Sequence, residues 1–248
     1  MTETEQQQSF AEACLRAAEA QRGENGIGSL GEKTLHLTLK YFYEPDETRH
    51  ERKLQGYVTD ALTETCAVEI QTAQLHRLAR KLDAFLPVTD VRIVCPVVTD
   101  ARILWLEPTS GEVVETRRSR LHGKPLEALS ELCALKSRLQ MPGLTVDLVC
   151  LTLDEYRLLD GTGETRKRHA TRYEKIPTAL RSVIALRTPA DYAALLPQGM
   201  EEPFTSAVLA AAAHIRRRDA QQALNLLVSM QAVSCVGRSG RENLYRYA

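Results

Sequence analysis

Asp60, Glu69 and Gln71 are the residues whose types and spacing point most directly to chemistry. They lie in GYVTDALTETCAVEIQT, residues 56–72. Asp60 comes late in one run of alternating apolar and polar residues. Glu69 and Gln71 fall two apart in the next run, and residues two apart on a strand project to the same face. If the two runs pair, Asp60 joins them. Three converging oxygen-bearing side chains make a seat for a hard divalent cation such as Mg2+. A cation held there can activate a water to attack a phosphodiester.

The elements that would position these residues are readable on both sides. A helix is expected over 5–21, then a glycine-rich loop, RGENGIGSLG. A second helix is expected over about 29–42, with Ser29 and Glu32 spaced as a capping box. Glu32, His36 and Lys40 then share one face at i, i+4 and i+8. GYVTDAL and CAVEIQT read as an antiparallel pair. Leu75, Leu78, Leu82 and Phe85 give 73–85 a helical stripe. VRIVCPVV, 91–98, reads as a buried strand that Pro96 makes irregular. ARILWLEPTSGEVV reads as a hairpin turning at Pro108–Gly111. KPLEALSELCALKSRLQ reads as a helix. LTVDLVCLTLDEYRLL reads as a strand ending in a polar turn at Asp154 and Glu155, and the charged stretch after it as a loop followed by short elements. This order is a mixed α/β (α+β) core.

The spacing Asp60-x8-Glu69-x-Gln71, with Glu32 on a preceding helix, resembles the PD-(D/E)XK nuclease superfamily over roughly residues 29–98. In that family a helix with an acidic residue precedes a β-hairpin bearing the Asp and then Glu-x-Lys, and a further helix and strands follow. The resemblance implies a restriction-endonuclease-like core and metal-dependent hydrolysis of DNA. It implies Asp60, Glu69 and the carbonyl of Ile70 as ligands of Mg2+ or Mn2+. Glu32, Asp60, Glu69 and Gln71 form the implied catalytic set. Gln71 stands where the family usually has Lys; it can hydrogen-bond a water but brings no charge. The alternative is a catalytically inactive nuclease-like domain serving as a DNA-binding regulator or scaffold.

The tail carries a separate pattern from about Pro203, so the chain divides into 1–195 and 196–248. Thr205 or Ser206 can cap a short helix through Ala213. A second helix runs over about 216–230, and AVSCV and NLYRYA alternate as strands. Two helices and a β-hairpin resemble the winged-helix DNA-binding module. The resemblance implies Arg216, Arg217, Arg218, Gln221 and Gln222 on the helix presented to DNA, and Arg238 and Arg241 on the wing. Arg reads guanine and Gln or Asn reads adenine in the major groove, while wing arginines hold phosphates. Two further basic stretches, Arg117, Arg118, Arg120 and Lys124, then Arg166, Lys167, Arg168 and Arg172, would add salt-sensitive affinity.

The whole chain sets looser bounds. The 248 residues carry a formal net charge of +0, so no global field draws the protein to nucleic acid or membrane. After residue 196, six arginines stand against four acids, a mildly basic tail. The six cysteines are scattered with no C-x-x-C pair, the pattern of reduced thiols in a cytoplasmic bacterial protein. No run is long and apolar enough for a membrane span. DNA is the expected partner, with a two-fold homodimer as the default assembly.

Overall fold

The computed structural model describes residues 2–24, 33–120, 122–161 and 170–248. It is a mixed α+β structure. Helices α1 (Glu3–Glu24) and α2 (Thr34–Tyr43) come first, then strands β1 (His50–Leu54), β2 (Tyr57–Leu62) and β3 (Cys66–Ile70). Helix α3 (Ala79–Phe85) leads to β4 (Asp90–Leu106) and β5 (Val113–Arg118), and α4 (Pro125–Leu132) to β6 (Leu144–Leu158) and β7 (Thr171–Leu186). The chain ends with α5 (Pro189–Ala193), α6 (Ser206–Ala213), α7 (Arg217–Ser229), β8 (Val233–Ser239) and β9 (Glu242–Tyr247). Strands pair in the order β1-β2-β3-β4-β6-β7, with β5 on β4; β8 and β9 form a separate hairpin.

By contacts the chain falls into two compact units. The first comprises residues 1–50, 98–123 and 149–183. There α1 packs on α2, with Phe10 and Phe42 edge to face at 5.5 Å. In the same unit Arg102 grips the buried Asp154 with two bonds of 2.7 and 2.6 Å.

The second unit comprises residues 51–97, 124–148 and 184–248, and so includes the tail expected as a separate domain. β2 and β3 pair antiparallel in the register Ala61↔Val68, as the alternation suggests. β3 then pairs parallel with β4, Glu69 facing Ile93. A parallel pair cannot be closed by a tight turn and needs a crossover. A 3-10 turn at Leu75–Leu78 and α3 supply it, burying Leu75, Leu78, Leu82 and Phe85. All five residues of β3 are buried.

Several expected boundaries differ. Lys33 is extended and α2 starts at Thr34, later than the expected start at 29; Ser29 and Glu32 lie outside the described residues. Arg166, Lys167 and Arg168 lie outside them as well. β4 runs unbroken through Pro96, joining two segments expected as separate strands. Pro96 sits past Val94, the last residue paired with β3, so that ladder needs no N–H from it. β6 likewise continues through Asp154 and Glu155, expected as turn residues, because Arg102 neutralises the inward carboxylate of Asp154. The stretch from Thr171 is strand β7, where a loop and short elements were expected.

The tail follows its expected elements closely. Ala220, Ala223, Leu224 and Leu227 are the buried stripe of α7, which packs on α6 and α4. Phe204 exchanges two 2.9 Å backbone bonds with Tyr245 and ties the start of the module to β9. Lys124 closes the other side. Its ammonium donates to the carbonyls of Ala213 and His214 at 2.6 and 2.9 Å. Those carbonyls sit at the C-terminal end of α6, where a cation is favoured. Lys124→Met should therefore lower unfolding stability by about 1–2 kcal/mol in urea titrations, with earlier amide exchange at the end of α6.

Candidate functional site

Glu69 is the penultimate residue of a strand with no exposed residue, and only 1% of its own surface is exposed. Its carboxylate must find partners inside the protein. Lys81, two residues into the α3 helix after Ala79, donates Nζ to Glu69 Oε2 at 2.8 Å. Among the described residues, Oε1 is buried with no hydrogen-bond partner. The next position along the β2–β3 register brings Asp60 opposite Glu69. The Asp60 Oδ2 accepts from the Ile70 backbone N–H at 2.7 Å, so its carboxylate folds over the β3 backbone.

The electrostatics follow from this crowding. Burial and, after it, the neighbouring Asp60 charge push the Glu69 carboxyl up to about 7, with Lys81 offsetting part of the rise.

Gln71 does not join them as a third oxygen. Its backbone N–H continues the ladder to Val94 O at 2.9 Å, and its side-chain amide donates to the Ala73 carbonyl. Ile70 is buried in the strand, and Glu32 lies outside the described residues. Among the described residues no group of three or more His, Cys, Asp or Glu side chains is placed to hold a metal ion. The acidic side chains brought together here are Asp60 and Glu69. Lys40 and His36 of α2 are not on an open solvated face: Lys40 is 2% exposed and His36 half-buried.

Lys81 is the site residue that the Glu-x-Gln spacing does not reveal. A signal for it exists in the sequence. A helix that crosses over between paired parallel strands lies on their sheet, and Lys81 borders the stripe Leu78, Leu82 and Phe85.

In the same unit, the α7 residues Arg218, Gln221, Gln222, Asn225 and Val228 line a groove with Cys235, Asn243 and Tyr245 of the hairpin. Arg216, Arg217, Arg218, Gln221, Arg238 and Arg241 are exposed and Gln222 is half-buried. Arg217 pairs with Glu242, and Arg238 donates to Asn243 at 3.0 Å, so both arms of the module are held by internal polar contacts. Lys136 Nζ donates to Asn225 Oδ1 at 3.3 Å.

The basic stretch at 117–124 is largely committed elsewhere. Arg118 is on β5 and grips Asp100 with bonds of 3.1 and 2.7 Å. Arg117 lies over the Trp105 ring, and Lys124 holds the end of α6. Arg172 pairs with Glu155 at 3.4 Å.

The chain matches the family model described as "Domain of unknown function (DUF8091)" over residues 33–187 and belongs to that family. The match contains Asp60, Glu69 and Lys81 and stops before α5. An uncharacterized protein of Treponema pallidum (strain Nichols) is 29% identical over 141 residues, 56% of this chain and 56% of that protein. The chain thus spans little more than half of that relative's length. No solved structure matches. Among the described residues no helix is long and apolar enough to cross a membrane.

The raised Glu69 pKa makes stability depend on pH. Below the ordinary value of 4.5 the group is protonated in both folded and unfolded chains. Between 4.5 and about 7 the unfolded chain releases the proton and the folded chain keeps it, so stability falls as pH rises. The fall should total about 3 kcal/mol and level off above that window. Urea titrations from pH 4 to 8 check it, because Glu69→Gln should lack this component of the fall.

Proposed function

We propose that this chain is a metal-dependent DNA endonuclease of the cytoplasm that hydrolyses phosphodiester bonds at Asp60 and Glu69. In this reading α6, α7 and the β8–β9 hairpin engage duplex DNA as a winged helix. The observation that carries the reading is the buried Glu69 carboxylate set against Asp60. A protein gains nothing in stability from placing two like charges together inside a strand pair, and such an arrangement is typical of functional sites. The order α2-β1-β2-β3-α3-β4 supports it, as does a β2–β3 register that opposes the two acids.

The residues present fit a hard cation. Asp60 and Glu69 offer carboxylate oxygens, and Glu69 Oε1 is buried with no hydrogen-bond partner among the described residues. Mg2+ needs one or two protein carboxylates and completes its shell with water. When bound, it supplies positive charge to the phosphoryl group and acidifies water.

The protein's own groups do the rest. Glu69 must lose its proton to act as a ligand, so cation binding competes with protonation near pH 7. The bond from the Ile70 N–H fixes the Asp60 carboxylate. Lys81 brings the ammonium that Gln71 lacks, and at 2.8 Å from Glu69 it can orient a water and stabilise charge on a phosphate.

The inactive regulator or scaffold remains the second reading, favoured by one observation. The Lys81–Glu69 pair already satisfies one carboxylate oxygen, and Gln71 is turned onto its own backbone.

Plasmid and linear duplex incubated with Mg2+, Mn2+ or EDTA separate the two. The wild type should cut with either metal and not with EDTA. Asp60→Ala and Glu69→Ala should each lose at least about 100-fold, since losing only the supporting shell of a metal costs 10–100-fold. Cutting that survives both substitutions sinks the site. Binding without cutting, weakened by Arg217→Ala, favours the regulator.

A further inference from the structure

Two arginines, Arg77 in the 3-10 turn before α3 and Arg80 on α3, flank Lys81. Leu75, Leu78, Leu82 and Phe85 face the core. Arg77 lies in the 3-10 turn that leads into α3, four residues before Lys81, and Arg80 is the residue next to Lys81 on α3. Lys81 is turned inward to Glu69, with its side chain 26% exposed, while Arg77 and Arg80 are exposed. Neither arginine has an acidic partner among the described residues. The first acid further along, Asp83, is taken by Arg138 through two bonds of 2.8 Å. A short element thus leads from the carboxylate pair outward along a ridge of uncompensated positive charge.

The geometry points to Arg77 and Arg80 as the site that holds the phosphate backbone of the DNA beside the bond to be cut. This rests on the nuclease reading of Asp60 and Glu69. Exposed arginines reach phosphate oxygens bidentately and carry no base preference. Arg80 on α3 and Arg77 in the 3-10 turn just before it flank Lys81, so a strand held there lies beside the reacting group. The contact is ionic and sequence-independent, so each arginine should release about one counterion on binding.

The test measures DNA binding by fluorescence anisotropy on the full chain, using a labelled duplex in EDTA at several salt concentrations. Cleavage is followed separately in Mg2+. Arg77→Ala/Arg80→Ala should weaken binding about tenfold and reduce the slope of log K against log salt by about 2. It should do so equally on unrelated sequences. The charge-keeping Arg77→Lys/Arg80→Lys variant should recover most of the slope.

Unchanged affinity and slope in the double-Ala variant overturn the proposal, as does a wild type that does not bind DNA. A double-Lys variant as weak as the double-Ala one also overturns it, since charge would not be the cause. A wild type that shows the expected binding losses but cuts nothing sinks the nuclease reading and leaves the phosphate surface standing.

Discussion

A carboxylate within a fully buried strand constrains everything around it. Glu69 lies between Val68 and Ile70, both buried, and is itself almost fully shielded from solvent. Left alone, such a group would carry a desolvation cost of several kcal/mol and simply stay protonated. The protein instead surrounds it with Lys81 on one side and Asp60 on the other. The ammonium favours ionisation and the second carboxylate opposes it. The balance leaves a group poised near neutral pH, where a bound cation would decide its state.

Helix α3 is the element through which this constraint reaches the rest of its unit. It exists because β3 and β4 are parallel and need a crossover, and its apolar stripe seats it on the sheet. That placement delivers Lys81 to Glu69. On the far side, Asp83 is clamped by Arg138, which belongs to the segment following α4. The same segment sends Lys136 to Asn225 and Gln140 to Ser229, both on α7. The carboxylate pair and the face of α7 are therefore joined by polar contacts within one unit. A chain of contacts is not by itself evidence of energetic coupling. It does set α3 and α7 in a defined relation within their unit.

Local patterns were legible where the chemistry was local. The alternation around Asp60 and Glu69 specified the β2–β3 pair, and the apolar stripe at Ala220, Ala223, Leu224 and Leu227 specified α7. What escaped the sequence depended on distant partners. Asp154 reads as a turn residue until Arg102, 52 positions away, is seen to neutralise it inside β6. Pro96 reads as a break until the end of its β3 ladder is known. Gln71 looked like the third member of the site because it shares the strand's alternation. Its amide found a nearer acceptor in Ala73, and the cation came from 12 residues beyond Glu69.

Calorimetric titration of Mn2+ into the protein at pH 6, 7 and 8, in buffers of different ionisation heat, tests the central claim most directly. If Asp60 and Glu69 hold a hard cation, affinity should rise about tenfold per pH unit below 7 and flatten above it, because the ligand must shed its proton. The measured heat should depend on the buffer below pH 7, and Glu69→Gln should abolish the binding. Mn2+ binding that ignores pH and survives Glu69→Gln, or no binding at any pH, would contradict the account.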